Sequence, residues 1–190
     1  MTIDLVPVDY SHRDAIREWR NRPEVARFMK ETDPISEADH ARWFDAMMVD
    51  PRSHYWIVTV DGAPSGIAHL SSISEKDRRC DWGYYLASNS ARGAGVGSYV
   101  WYRLLDYAFG VLDLEKVCAE VLGFNDRVLA MHATFGFTRE GLLRHHVRRP
   151  DGVYDIVLFG LLREEWEQRR EHIEAKLRKK GRLPYGQSLS

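Results

Sequence analysis

Two spacings of apolar residues recur along the chain. In seven short segments apolar residues alternate with polar ones or run together, and turn residues bound them, which predicts strands. The segments are residues 2–8, 55–60, 65–73, 79–87, 116–122, 137–148 and 153–162. Asp61-Gly62 and Pro150-Asp151-Gly152 are turn signals, so each is expected to join two of these strands as a hairpin.

Between the strands, apolar residues recur every three or four positions, as on one face of a helix. Helices are predicted over residues 11–20, from 36 onwards, and over 95–110, 126–135 and 163–180, with a helical turn at 23–29. Ser11 and Ser36 stand at N-cap positions. The helix after Ser36 has one apolar face, made of His40, Trp43, Phe44, Met47 and Met48. Alternating strands and helices predict an α/β (α+β) fold.

Composition narrows the class of protein. The chain has 190 residues, 44% of them hydrophobic, so one domain is expected over residues 1–180, with a disordered tail at 181–190. The net charge of −1 argues against nucleic acid or an acidic membrane as partner. No apolar run approaches the ~18 residues of a membrane span. Cys80 and Cys118 form neither a metal motif nor a disulfide framework, so no metal is expected and a cytoplasmic location is predicted.

Glycine recurs at every second position in Arg92-Gly93-Ala94-Gly95-Val96-Gly97, between a predicted strand and a predicted helix. Such a turn directs backbone N–H groups, and the helix N-terminus, at a phosphate or pyrophosphate. No Gly-Lys-Ser/Thr follows, and the spacing is not Gly-x-Gly-x-x-Gly, so neither the P-loop nor a dinucleotide fingerprint is present. Taken alone, the segment reads equally well as an ordinary glycine-rich turn.

A second motif follows about 30 residues later, from Asn125 to Gly136-Phe137, and it begins directly after a predicted strand. Asn125 can cap the next helix, and Gly136 can end it. Together the two motifs resemble the Arg/Gln-x-x-Gly-x-Gly/Ala loop and the Asn…Gly-Phe segment of the GNAT N-acetyltransferase superfamily. The resemblance implies a mixed central sheet of about seven strands flanked by helices, with acetyl-CoA as co-substrate.

The resemblance also implies which residues bind acetyl-CoA. In this superfamily the glycine loop binds the pyrophosphate, the strand before it supplies amides for the oxyanion of the tetrahedral intermediate, and the asparagine reaches the pantetheine arm. The corresponding residues here are Tyr84, Tyr85, Leu86, Arg92, Gly93, Ala94, Gly95, Val96, Gly97, Ser98 and Asn125.

His132 stands where the superfamily usually has a tyrosine, near the sulfur of CoA. A histidine with an ordinary pKa of about 6.5 can donate a proton at neutral pH, so His132 is a candidate general acid for the thiolate. The alternative is a histidine that only packs on the helix face. Val128 replaces a residue that is commonly small, which suggests different packing against the cofactor.

Glu120 is the candidate general base. On the predicted strand 116–122 it lies on the opposite face from Val117, Ala119 and Val121. A buried carboxylate in an apolar strand is costly without a partner or a function, and some relatives have glutamate five residues before the asparagine. Glu120 would remove a proton from the acceptor ammonium, directly or through water. An exposed or ion-paired glutamate is the alternative.

The front of the chain is expected to bind the acceptor. Residues 19–29 and 82–86 resemble a sub-group of the superfamily that acetylates the 4-amino group of a UDP-linked dideoxy aminosugar in pseudaminic acid synthesis. The resemblance marks Trp19, Arg20, Asn21, Trp43 and Tyr85 as substrate-binding residues, with arginines for the diphosphate and aromatic rings for stacking. For each of them, a place in the core or on a solvated face is the alternative. The Arg144–Arg149 cluster is expected to be a solvated hairpin tip.

Other functions stay open at this point. The same front resembles acetyltransferases of ribosomal-protein N-termini and of polyamines, for which an extended groove or an acidic pocket would be expected. A domain that binds acyl-CoA without turnover is the alternative from another class of protein. A homodimer is also left open.

Overall fold

The computed structural model describes residues 1–88 and 95–181. The predictions for Arg92, Gly93 and Ala94, and for the tail beyond residue 181, lie outside these residues. Within them the strands are β1 Ile3–Pro7, β2 His54–Val60, β3 Ala63–Ser74, β4 Arg79–Leu86, β5 Lys116–Leu122, β6 Thr138–Arg149 and β7 Gly152–Leu162. The helices are α1 Arg13–Arg20, α2 Pro23–Ala26, α3 Glu37–Val49, α4 Val96–Gly110, α5 Asp126–Phe135 and α6 Arg163–Lys179.

All seven strands of the described residues form one mixed sheet, in the order β1-β2-β3-β4-β5-β7-β6. Only β4 and β5 run parallel, and every other neighbouring pair is antiparallel. Parallel strands need a crossover connection, and α4 provides it here. This helix packs against β3, β4 and β5. The predicted fold class and the mixed sheet of about seven strands are confirmed.

The sheet separates two cores. Its larger side packs against α4, whose residues Tyr99, Val100, Trp101 and Leu104 are fully buried. The other side packs against α1 and α3 through a smaller cluster around Ile16. Both faces of the central strands are therefore covered by helices, as expected where strands have nearly continuous apolar residues.

N-caps were predicted at Ser11 and Ser36, and the structure bears out one of them. Ser36 caps α3, since its Oγ accepts a hydrogen bond from the Asp39 amide at 3.1 Å, as predicted. Ser11 is not a cap: Asp9 accepts from the Ser11 amide at 2.8 Å and begins a 3-10 turn that runs into α1. An ionised carboxylate is a stronger acceptor at a helix start than a hydroxyl, which explains the shift of two residues.

Candidate active site

The central strands β4 and β5 separate along their length. They pair only through residues 79–81 and 116–118. Beyond this point β4 continues beside β3, and β5 continues beside β7. Because N–H groups along a strand point alternately to its two edges, residues 82–85 present amide groups to the gap. A gap lined by strand amides can receive an extended ligand and hydrogen-bond its carbonyl oxygen.

A cavity of about 810 Å³ lies in this gap. Its wall includes residues 82–86 of β4, residues 119–122 of β5, and Asn125 and His132 of α5. The opposite wall comes from residues 24–30 and from α3. This volume matches that of sites that bury small-molecule ligands.

The two faces of the sheet contribute different chemistry to the cavity. Gly83, Tyr85 and Glu120 lie on the face of the sheet that packs against α1 and α3. Asp81 of β4 pairs with Cys118 of β5, and every second residue after them lies on the same face. Trp82 and Tyr84 lie on the α4 face. The gap therefore connects the side of the sheet covered by α4 with an α1–α3 side that carries the carboxylate.

Glu120 is exposed, with 43% of its side chain accessible, so the burial expected from the sequence is not found. Its Oε2 forms an ion pair with Nζ of Lys30, a residue 90 positions away in the chain. Both side chains line the cavity. The carboxylate is therefore exposed and ion-paired, which is the alternative left open by the sequence, although it also lines the cavity. Its role as general base stays a prediction.

His132 is buried, with 1% of its surface accessible. Its ring packs among Trp82, Trp101, Phe137 and Phe159, at centroid distances of 4.5 to 5.7 Å. Burial lowers the pKa of His132 to about 4, although the hydrogen bond to the Val128 carbonyl opposes the shift. The titration near pH 6.5 expected from the sequence is therefore corrected, because an apolar aromatic shell disfavours the imidazolium.

The hydrogen bond of His132 also fixes its tautomer. Nδ1 lies 2.8 Å from the Val128 carbonyl oxygen and must carry the hydrogen, since the carbonyl only accepts. In the neutral ring Nε2 then has a lone pair, and it has no partner among the described residues. In this state His132 can accept a hydrogen bond in the cavity wall, and it becomes a proton donor only after it gains a proton.

His69 is a cavity residue that sequence reasoning missed. It lies on β3 between Tyr55 and Gly83 in the strand registers, and its ring stacks on Tyr55 at 5.0 Å. A Cβ on Gly83 would come within 2.6 Å of its Nε2, so the glycine leaves room for the imidazole. Burial lowers the pKa of His69 to about 4. Only the pairing of three strands brings this residue to the gap, and no local motif marks it.

Four residues predicted to bind the pyrophosphate, Gly95, Val96, Gly97 and Ser98, are described at the start of α4. Gly95 precedes α4 with φ of +84°, a conformation that favours glycine, and Val96 is buried under it. Gly97 lies against Tyr84, whose hydroxyl would be 2.9 Å from an added Cβ. Ser98 belongs to the first turn of α4. These residues give the start of α4 close contact with β4.

Asn125 caps α5, with its Oδ1 3.4 Å from the Val128 amide, and it lines the cavity. Tyr84, Tyr85 and Leu86 also line the cavity. The strand residues and the asparagine thus line one cavity, whereas Gly95, Val96, Gly97 and Ser98 are not part of its wall. Binding of CoA by these residues stays a prediction.

Two predicted acceptor residues have structural roles. Trp19 is 7% exposed and packs with Ile16, Phe44 and Met47 in the α1–α3 core, away from the cavity wall. Asn21 uses both ends of its amide on Ile35, donating to the carbonyl at 3.0 Å and accepting from the N–H at 2.8 Å. Asn21 therefore fixes the segment before α3, and its place as a substrate ligand is corrected.

Arg20, Trp43 and Tyr85 do line the cavity. Trp43 is 42% exposed, which departs from the fully apolar helix face predicted for α3. Its ring packs edge-on against Tyr55 at 5.9 Å, at the border of the cavity. The Tyr85 hydroxyl donates to the Ile16 carbonyl at 3.3 Å, and burial raises its pKa, so it stays neutral.

Arg149 departs from the solvated hairpin tip expected for its cluster. It is 7% exposed and donates to the Arg27 carbonyl at 2.9 Å, while Arg144, His145, His146 and Arg148 are exposed. Its guanidinium lies over the rings of Tyr154 and Phe124, at 4.9 and 5.4 Å. The aromatic rings and the carbonyl explain its burial, and they could not be inferred from a run of basic residues.

The described part of the chain contains no group of three or more side chains placed to hold a metal ion. In residues 1–88 and 95–181, no helix combines the length and apolar character needed to cross a bilayer.

The acetyltransferase (GNAT) domain family matches residues 3–138. The chain belongs to this family. It is an acetyl-CoA-dependent N-acetyltransferase, and the gap between its strands β4 and β5 is lined by residues 82–86 and by the candidate carboxylate of Glu120.

Several curated acetyltransferases and solved structures are similar to this chain. It is 28% identical over 123 residues to the acetyltransferase PseH of Campylobacter jejuni, covering 65% of this chain and 74% of the relative. It is 24% identical to the spermidine N(1)-acetyltransferase of Escherichia coli, covering 76% and 77% of the two chains. The spermidine N-acetyltransferase of Vibrio cholerae, solved with CoA and spermine, superimposes with a TM-score of 0.80 at 18% identity, covering 87% and 98%. That last likeness concerns the fold.

Proposed function

We propose that the acetyltransferase acetylates the 4-amino group of a UDP-linked dideoxy aminosugar, by direct transfer from acetyl-CoA in a ternary complex. The observation that carries this proposal is that Nη1 of Arg20, in the acceptor wall of the cavity, is buried without a hydrogen-bond partner among the described residues. The similarity to PseH agrees with it.

Arg20 has unused capacity to bind an anion. One of its nitrogens, Nη2, donates to the Glu31 carbonyl at 2.6 Å, while Nη1 is buried without a partner among the described residues. Burial lowers the pKa of Arg20, whereas Tyr85 and the carboxylate of Glu31 oppose this shift. A phosphate beside the Arg20 guanidinium would supply the missing acceptor.

The aromatic side chains suit the uncharged parts of such a substrate. Trp43 is half exposed at the cavity border, and Phe28 lines the cavity with 38% of its surface accessible. The Arg27 guanidinium lies 4.5 Å from the Phe28 ring centroid. Exposed rings next to arginines can stack on a nucleobase or a sugar, while the arginines face the phosphates.

In the proposed mechanism Glu120 removes a proton from the acceptor ammonium, and the neutral amine attacks the thioester carbonyl. Amides of residues 82–85 stabilise the oxyanion, and holding both substrates in line supplies much of the acceleration. The CoA thiolate then leaves. A proton from His132 is available only if the buried ring is protonated, so at neutral pH the thiolate is expected to take its proton from water.

A polyamine is the second candidate acceptor, and one observation favours it. The cavity wall also contains the carboxylates of Glu24, Asp39 and Glu120. Two of these are already paired, Asp39 with Arg42 and Glu120 with Lys30. Only Glu24 is left for a second ammonium group, which makes the polyamine the weaker candidate.

A panel of acceptors tests the proposal. Release of free CoA is measured with the UDP-aminosugar, the same aminosugar without UDP, spermidine and a peptide with a free N-terminus. The highest kcat/KM is expected with the UDP-aminosugar, and Arg20→Gln is expected to raise its KM at least about tenfold, ~1.4 kcal/mol. Arg52→Gln, on an arginine that is 72% exposed, is the control. A preference for spermidine or the peptide, or equal KM values with and without UDP, would reject the nucleotide sugar.

A further inference from the structure

Lys30 places an amine where the acceptor amine has to lie. Its Nζ contacts Oε2 of Glu120, the proposed general base, and both side chains line the cavity between β4 and β5. An acceptor nitrogen must come within hydrogen-bond distance of the same carboxylate before it loses its proton. The inference that follows therefore rests on the role proposed for Glu120.

Side chains hydrogen-bond to the backbone of the segment that carries Lys30 at three residues. The carbonyl of Arg27 accepts from Arg149, and the carbonyl of Glu31 accepts from Arg20. Further along, the two hydrogen bonds between Asn21 and Ile35 close the segment. Side chains from α1 and β6 thus bind the backbone on both sides of Lys30, so its ammonium reaches Glu120 from a fixed backbone.

We propose that Lys30 is a site of self-acetylation, at which the enzyme transfers acetyl from acetyl-CoA to its own side chain. Glu120 takes a proton from the Nζ ammonium, and the nitrogen lone pair attacks the thioester carbonyl. The new C–N bond forms, the C–S bond breaks, and the CoA thiolate leaves with the electron pair. The products are N-acetyl-lysine, CoA thiol and one proton released to water.

Lys116, on the same strand as Glu120, provides an internal comparison. Lys116 at the start of β5 also forms an ion pair with a glutamate, Glu140, at 2.6 Å. It lies where β4 and β5 are still paired, and it is outside the cavity wall. Both lysines therefore form an ion pair with a carboxylate, but of the two only Lys30 lines the cavity.

The modification has a consequence for the site. Acetylation removes the charge of Lys30 and leaves Glu120 without its cationic partner. Because the lysine and an external amine would use the same carboxylate, they exclude each other. A saturating acceptor is therefore expected to protect Lys30 from acetylation.

The full chain is incubated with acetyl-CoA and no acceptor, and acetylation is followed by intact mass and by peptide mapping. One acetyl group is expected, at Lys30, at a rate that does not depend on protein concentration. Lys30→Arg should abolish it, Lys116→Arg should leave it unchanged, and Glu120→Gln should slow it at least about tenfold. Protein purified with Lys30 already acetylated supports the proposal if the Glu120→Gln protein is purified unmodified.

Three results would overturn the proposal: equal labelling of Lys30 and Lys116, a rate that rises with protein concentration, or full labelling of the Glu120→Gln protein. Its failure can be told from a failure of the proposed function. If an external amine is acetylated by a Glu120-dependent reaction and Lys30 stays unlabelled, only self-acetylation is wrong. If Lys30 is labelled while no UDP-aminosugar is accepted, only the assigned acceptor is wrong.

Discussion

At the scale of single residues, Glu120 and His132 reach the same cavity from different surroundings. Glu120 is in contact with solvent and with a cation, so it can exchange protons with water and with an amine. His132 lies in an aromatic shell that lowers its pKa to about 4, so it is neutral at physiological pH. The structure therefore supports a proton acceptor for the amine more strongly than a proton donor for the thiol.

Replacing Glu120 with glutamine is expected to lower turnover at least about tenfold near neutral pH. The loss should shrink as the pH rises, because a growing fraction of the acceptor is then the free amine. The measurement is kcat against pH for both proteins with one acceptor. Glu140→Gln removes a similar Lys–Glu pair outside the cavity and should leave the profile unchanged. A deficit that is the same at every pH would show that Glu120 positions the substrate or supports the fold instead.

His132 is expected to contribute little as an acid near neutral pH. His132→Phe should keep the single-turnover rate of acetyl transfer within about threefold of wild type, since a neutral imidazole with a free Nε2 has no proton to give there. His132→Tyr restores the usual residue of the superfamily and serves as the comparison. A loss of more than about tenfold in the phenylalanine variant, restored by tyrosine, would show that His132 does donate the proton.

At the scale of the elements, the spacing of apolar residues predicted most of the helices and strands. The bounds of β5 and α5 agree with the prediction to the residue, because each combines one clear period with a cap or a turn at its end. Gly136 ends α5 at φ of +88°, as expected of a glycine that follows a helix. The predicted helix 11–20 instead began as a 3-10 turn capped by Asp9.

The acceptor side of the site was much harder to predict. Lys30 lies between α2 and α3, where no periodic pattern exists, and it meets Glu120 through folding alone. His69 faces the cavity because three strands pair in one register, and Arg149 is buried because two aromatic rings cover it. Such contacts join separate elements of the fold, which are 90 residues apart in the case of Lys30 and Glu120, whereas the motifs at Gly95 and Asn125 are local and could be recognised directly.

The start of α4 can be tested with a pair of glycines. Gly95→Val is expected to weaken acetyl-CoA binding at least about tenfold, ~1.4 kcal/mol, because a branched side chain would enter the pyrophosphate site. Valine at φ of +84° also strains the backbone, so the control is Gly62→Val, at φ of +78° in the β2–β3 turn with open space around it. Calorimetry on both folded proteins should show lower affinity only for Gly95→Val, and equal affinities would remove Gly95 from the site.

At the scale of the whole molecule, the sheet divides the protein into two sides, and the separation of β4 and β5 leaves a gap between them. The start of α4 and the wall proposed to bind the acceptor lie on opposite faces of the sheet, near the point where β4 and β5 separate. The proposed direct transfer in a ternary complex fits this arrangement, because acetyl group and amine would approach from opposite faces. The homodimer stays a prediction.

Stability should fall as the pH drops below about 6.5. In the folded protein the pKa of His132 is about 4, whereas in the unfolded chain it is near 6.5, so the unfolded state binds the extra proton first. The stabilisation is fully present above pH 6.5 and is lost as the pH falls toward 4; at pH 5 the loss from this residue is about 2 kcal/mol. His69, whose pKa is also lowered to about 4, acts in the same direction.

Urea unfolding at about pH 7.5 and about pH 5 measures this effect. His132→Phe keeps the aromatic packing and removes the titrating group, so its free energy of unfolding should change less between the two pH values than that of wild type, by about 2 kcal/mol. His146→Phe, on the exposed hairpin, should keep the wild-type difference. If His132→Phe and wild type lose the same stability on acidification, the imidazole is protonated in the folded protein at pH 5. A protonated His132 could then act as the general acid for the thiolate.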